Sequence, residues 1–289
     1  MSYYKSLLGA HIAVFFMSIT GVLAKVSGFD AWHVTSYRVT LGALVLVPLL
    51  VLGKKRPKMP ARRVCACLAM GVLLSIHWYT FFLSIELLGV MLGYAMTGVQ
   101  PILIAVLARV VTGERLETRT LYALLVALLG FVLLGFQANE APQLLTGIAV
   151  SLFSFIVFAL LILFNRAYVQ HSSSLSVTTF EILGAIPLTL MMTLPNWAPA
   201  DTTGWFWALL MGLCCTGFAY VLYNNSMKVL SASVAGLLLS LEVVYGVVGG
   251  YLIGDTLTGA QALAALLIAN ILFVDLWGYL RYRLQTRAS

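Results

Sequence analysis

The sequence predicts an all-α polytopic membrane protein, with ten transmembrane helices arranged as two inverted five-helix repeats. Three observations predict it. Charged residues make up only 9% of the chain and hydrophobic ones 61%, with a mean hydropathy of +0.99. A soluble domain averages roughly a quarter charged residues. The apolar residues run in windows of about 20, the length that crosses a bilayer as a helix. Residues of the first half recur in the second at an offset of 141.

The first window, 7–27, follows Lys5 and is read as a retained span, because no small-x-small cleavage pattern closes it. Window 32–53 opens after Gly28-Phe29-Asp30, and 64–86 after Arg56-Pro57-Lys58. Window 89–111 carries Pro101, which removes a backbone donor and is expected to bend the helix. Windows 118–136 and 144–167 follow Gly113-Glu114 and Asn139-Glu140-Ala141-Pro142. Ser172-Ser173-Ser174 precedes 175–194, and Pro195-Asn196-Trp197-Ala198-Pro199 precedes 204–227. Gly254-Asp255 parts the last two, 231–252 and 259–280. All of these connections are rich in turn formers.

The net charge of +7 comes from residues placed between the windows, such as Lys54, Lys55, Arg56, Lys58, Arg62 and Arg63. With the N-terminus inside, the basic loops all fall on the cytoplasmic face, and Asp30, Glu86, Glu140, Asp201 and Asp255 lie near the other. This asymmetry predicts cytoplasmic N- and C-termini in a multi-pass protein of the cell's inner membrane. It also accounts for the charge without nucleic acid, since no aromatic-basic face lies outside the windows. Cys65, Cys67, Cys214 and Cys215 sit inside windows and lack metal-ligand spacing, so no metal or cofactor is expected.

The repeat pairs Lys25 with Arg166, Gly71 with Gly212, Tyr79 with Tyr220, Gly113 with Gly254, and Glu114 with Asp255. A small shift sets His33-Val34-Thr35 against Ser176-Val177-Thr178. The two units are 7–136 and 144–280. An odd number of spans per unit turns the second copy upside down, an architecture of secondary transporters.

These residues resemble the EamA family of the drug/metabolite transporter superfamily. The resemblance lies in Lys25, Tyr37-Arg38, Pro101, Gly113-Glu114-Arg115-Leu116, Gly130, Leu241-Glu242 and Gly254-Asp255-Thr256-Leu257, and covers roughly residues 7 to 280. Two departures stand out. Val243 follows Glu242 where the family usually has proline, and Asp255 replaces the usual Glu. The first puts a break in the ninth span in doubt. The resemblance implies ten spans, alternating access and traffic in small metabolites, often outward, without ATP hydrolysis.

Charged and polar side chains inside a bilayer cost several kcal/mol unless they face a partner, a cavity or water. The candidate solute-binding residues are therefore Lys25, Arg38, His77, Trp78, Tyr79, Tyr94, Gln100, Tyr220, Asn224 and Glu242. His77, Thr80, Phe81 and Ser84 fall on one helical face. Structural readings stand beside the functional ones. His77 can bond between helices, Asn224 and Asn225 can stitch neighbouring spans, and Lys25 can snorkel to the interface. Glu242 can pair with a basic residue, balance a substrate amine or carry a proton. Glu181, roughly the Arg38 position of the second half, has Arg166 as its expected counter-charge. Gly89, Gly93 and Thr97, and Ala232, Gly236 and Ser240, are small residues four apart that allow close packing. The Gly-Glu-Arg-Leu corner is read as a cytoplasmic turn, with Glu114 near the next helix's positive N-terminus.

The expected function is a non-enzymatic exporter or exchanger of small organic metabolites such as amino acids. Its partners are the solute and the lipid bilayer, with a homodimer possible through the same glycine seams. The alternative is a polytopic membrane enzyme acting on lipid, but no HExxH or Gly-x-Ser-x-Gly pattern appears.

Overall fold

The structure, a computed structural model, describes residues 3–53, 59–113, 118–137, 142–196, 202–230 and 232–270. Among these the regular structure is helical, with no strand. The helices are α1 (Tyr3–Ser27), α2 (Ala31–Leu52), α3 (Ala61–Leu88), α4 (Val90–Val111), α5 (Thr118–Gln137) and α6 (Pro142–Val169). They continue with α7 (Ser174–Thr193), α8 (Thr202–Ser226), α9 (Ala232–Leu239 and Leu241–Leu252) and α10 (Gly259–Ile268).

Among the described residues, eight helices are long and apolar enough to cross a membrane. They coincide with eight of the windows. α5 and α10 occupy the other two, and the stretch 271–280 of the last window lies outside the described residues. So do Glu114, Arg115 and Leu116 of the corner, the basic loop 54–58, and Glu140 and Asp201.

Helix starts follow local chemistry. Asp30 caps α2 by accepting from His33 N–H at 2.9 Å, and Ser173 caps α7 by accepting from Ser176 N–H at 3.0 Å. Thr258 and Gln261 form a capping box on α10. Large apolar side chains such as Leu44, Leu52, Leu129 and Phe153 point outward, while serines, threonines and charged groups are buried. That distribution suits lipid outside and polar pairing within.

α3 lies at the centre, packed along α6 and α7. α8 packs on α1 and α2, and α2 also packs on α7. α4 pairs with α9, and α5 with α10. Glycine permits the closest crossing. A Cβ at Gly71 of α3 would strike Glu181 O of α7, and one at Gly184 of α7 would strike Leu68 O of α3.

Two helices are interrupted. α4 tightens into a 3₁₀ turn at Thr97–Val99, and Pro101 then falls in the first turn of Gln100–Thr112, where its missing donor costs little. α9 breaks at Ser240 despite lacking the family's proline, so the doubt raised by Val243 is resolved by another route. Val243 N–H donates to Ser240 O, three residues back, at 3.2 Å. A third irregularity, a π-helical stretch of α8 at Met211–Phe218, has no signature among the motifs read above.

Candidate functional site

A buried cavity lies where α1, α2, α3, α4, α6, α8 and α9 converge. Its walls are Met17, Thr20, Arg38, His77, Trp78, Phe81, Gln100, Phe158, Tyr220 and Glu242. Its volume is about 20 Å³, roughly the room one water needs.

Arg38 is 2% exposed and fully engaged. Its Nε donates to Thr216 Oγ1 at 2.9 Å, Nη2 donates to Cys215 O at 3.4 Å, and the guanidinium lies 4.0 Å from the Trp78 ring centroid. The π-helical stretch makes this possible. Thr216 Oγ1 donates to Met211 O, five residues back, at 2.9 Å. Ala219 N–H reaches Cys214 O, also five back. Cys215 O thus faces Arg38 at a point where α-helical pairing is suspended, a common use of π segments at functional sites.

Trp78 donates from Nε1 to the Tyr220 hydroxyl at 2.8 Å. His77 places Nδ1 2.9 Å from Ser154 Oγ and 3.0 Å from Ser154 O, while Ser154 Oγ donates to His77 O at 2.8 Å. Its ring stacks on Phe158 at 4.4 Å. Gln100 is buried, and its Oε1 accepts no hydrogen bond. Glu242 feels the charge of Arg38 but forms no ion pair with it. Asp30–His33 is the ion pair found among the described residues.

The structure therefore gathers Arg38, His77, Trp78, Gln100, Tyr220 and Glu242 around one cavity and sends the other candidates elsewhere. Tyr79 stacks on Trp32, with centroids 3.8 Å apart. Tyr94 stands behind the wall. Its hydroxyl accepts from Gly21 N–H at 2.8 Å, and its ring fills the space above Gly246. Asn224 donates from Nδ2 to Thr178 Oγ1 at 2.8 Å, which stitches α8 to α7. Lys25 is exposed and lines a second cavity of about 290 Å³ with Asp30, Phe82 and Glu86. Phe82 lines this second cavity, and its ring lies 5.4 Å from Arg38, which lines the first.

Other expectations are corrected. Thr80 and Ser84 do not line the cavity, and their hydroxyls donate to Ile76 O and Phe81 O of their own helix. Arg166 does not neutralise Glu181 and instead donates from Nε to Leu230 O at 3.2 Å. Glu114 lies outside the described residues, but its counterpart Asp255 reaches across the bundle. Asp255 Oδ2 accepts from Met91 N–H at 2.8 Å and so caps α4 rather than its own following helix.

Sequence reasoning missed Met17, Thr20, Phe158 and Thr216. A signal for two of them was present, because Met17 falls on Phe158 at the 141-residue offset. Thr216 depends on the π stretch, which no pattern announced.

An all-helical bundle with a lipid-facing exterior and a charged inner cavity defines a multi-pass membrane protein. The chain belongs to the EamA-like transporter family, which residues 4–136 and 145–274 each match. An uncharacterized transporter of Archaeoglobus fulgidus is 28% identical over 88% of this chain and 92% of its own length. The uncharacterized transporter YyaM of Bacillus subtilis is 23% identical over 93% of this chain and 91% of its own. A crystal structure 18% identical in sequence shares the fold, with a TM-score of 0.70 over 94% of this chain and 97% of that one.

Proposed function

We propose that the protein exports or exchanges a small organic solute, such as an amino acid, by alternating access. The two inverted five-helix units, 7–136 and 144–280, rock against each other in the inner membrane, with both termini cytoplasmic. The cavity carries this reading. It draws its walls from both units and holds Arg38 and Glu242 together without pairing them. Opposite charges left apart in a shared cavity suit a solute that bears both.

The packing supports the inverted arrangement. Exchanging the units maps α3 on α6 and α7 onto α8 on α1 and α2, and maps α4–α9 and α5–α10 onto themselves. The two family matches, at 4–136 and 145–274, support the same division.

Roles follow from placement. Arg38, fixed by Thr216, Cys215 O and Trp78, offers a preorganised charge to an anionic group. Glu242 answers a cationic one. Trp78, Tyr220 and Phe81 form the apolar and aromatic wall. His77 has Nδ1 tied to Ser154, which leaves Nε2 as its group for the solute. A cavity of about 20 Å³ is far below the roughly 300 Å³ and more of ordinary ligand sites. Binding thus requires the units to part, and rocking supplies that motion.

The test is a thermal-shift screen of amino acids, nucleosides and sugars on detergent-purified protein, followed by flux of each hit into proteoliposomes. Stabilisation rises with ligand concentration by mass action, and Glu242→Gln abolishes it. Protein that moves none of the screened solutes, with or without a pH gradient, defeats the proposal.

A further inference from the structure

Outside the cavity, α7 carries a carboxylate that solute binding leaves unused. Glu181 is 1% exposed, and neither of its carboxylate oxygens receives a hydrogen bond. Asn165 of α6 and Asn224 of α8 stand beside it, 5% and 1% exposed. Asn165 Oδ1 also accepts from no donor. Asn224 commits one amide hydrogen to Thr178. The backbone of α3 closes the site, since a Cβ at Gly71 would strike Glu181 O and Ala185 N.

No counter-charge is supplied from the helices packed on α7. α3 contributes Cys67 and α8 contributes Tyr220, both ionisable toward negative charge. On α6, Arg166 is turned to Leu230 O. On α2, Arg38 is held by Thr216 and Trp78, and His33 by Asp30. Three buried acceptor oxygens thus meet with no charged donor beside them, only the neutral amides of Asn165 and Asn224. Each such orphan is costly, and an unpaired buried charge costs more.

One proton resolves most of the deficit. It cancels the charge, turns one carboxyl oxygen into a donor and gives an amide oxygen its partner. We infer that Glu181, with Asn165 and Asn224, forms a proton-binding site of this protein, separate from the solute cavity. The reaction is simple exchange with water, carboxylate plus H⁺ giving the neutral acid. At the 143-residue shift that aligns the caps Asp30 and Ser173, Glu181 occupies the position of Arg38. One unit therefore places a fixed positive charge where the other places a group of changeable charge.

The test uses full-length protein in nanodiscs without added solute. Infrared spectra across a pH series, in potassium and in sodium buffer, report the C=O stretch of protonated carboxyls. The expected result is a hydrogen-bonded acid band that Glu181→Gln removes, Glu242→Gln leaves in place, and Asn165→Leu moves toward the frequency of a free acid. A Glu181→Gln spectrum that keeps every acid band overturns the inference. So does a band that sodium abolishes at constant pH, which assigns the site to a metal cation instead. Where Glu181→Gln does not fold, the Asn165→Leu spectrum decides alone, and an unmoved band overturns the proposal. Protonation is read without transport, so this result stands or falls apart from the alternating-access reading.

Discussion

Trp78 and Tyr220 meet edge-on, with ring centroids 5.1 Å apart and the indole Nε1 donating to the phenol oxygen at 2.8 Å. One comes from α3 and the other from α8, so the bond ties the two halves of the chain at the cavity wall. Tyr220→Phe leaves a buried indole N–H without an acceptor and is expected to destabilise the protein by about 1–3 kcal/mol. Thermal unfolding in detergent measures it. The double variant with Trp78→Phe recovers part of the loss, because both partners are then apolar. A Tyr220→Phe protein as stable as the parent contradicts this account of the bond.

Arg38→Lys keeps the charge and loses the fork. A lysine cannot hold Thr216 Oγ1, Cys215 O and the Trp78 face together in the same geometry. Flux of the solute identified in the screen is expected to fall about tenfold, equivalent to ~1.4 kcal/mol, with yield and helicity unchanged. Full flux in the lysine variant means that charge alone suffices.

Gly71→Ala places a methyl group against Glu181 O and Ala185 N. Helix backbones cannot yield as side chains do, and about 1–3 kcal/mol of destabilisation is expected. Gly259→Ala is the control, since nothing lies within 4 Å of its Cβ position, and it is expected to change stability by less than about 0.5 kcal/mol. Equal effects from the two substitutions rule out the close α3–α7 crossing.

Asp255→Ala removes the cap that one half lends to α4 of the other. A lost cap costs about 0.5–2 kcal/mol. Hydrogen exchange at Met91 N–H is expected to speed up several-fold, while exchange within α7 stays the same. Unchanged protection at Met91 removes Asp255 from this role.

The helices were legible because the bilayer allows one spanning solution in apolar windows between basic and turn-rich loops. Arg38, Trp78 and Glu242 were legible for a related reason, because polar or aromatic groups inside such windows need partners. Burial alone, however, did not say which partner. Asn224 and Tyr94 are as buried as Arg38, yet they bond to Thr178 and Gly21 rather than facing the cavity. Phe158 and Met17 are ordinary apolar residues in composition, and only three-dimensional convergence makes them wall. Ser240 shows the limit from the other side, since a turn formed without the proline that a pattern would have sought.

The π-helical stretch Met211–Phe218 has one more consequence. Each turn there consumes roughly one residue more than an α-turn, so side chains beyond it lag those at matched positions of α3, a regular helix. Tyr79 and Tyr220 share a place in the repeat, yet Tyr79 faces Trp32 and Tyr220 faces the cavity, where Trp78, one residue earlier, is its neighbour. The slip of phase makes the two helices contribute unlike groups to the wall: α3 brings an imidazole and an indole, and α8 a phenol.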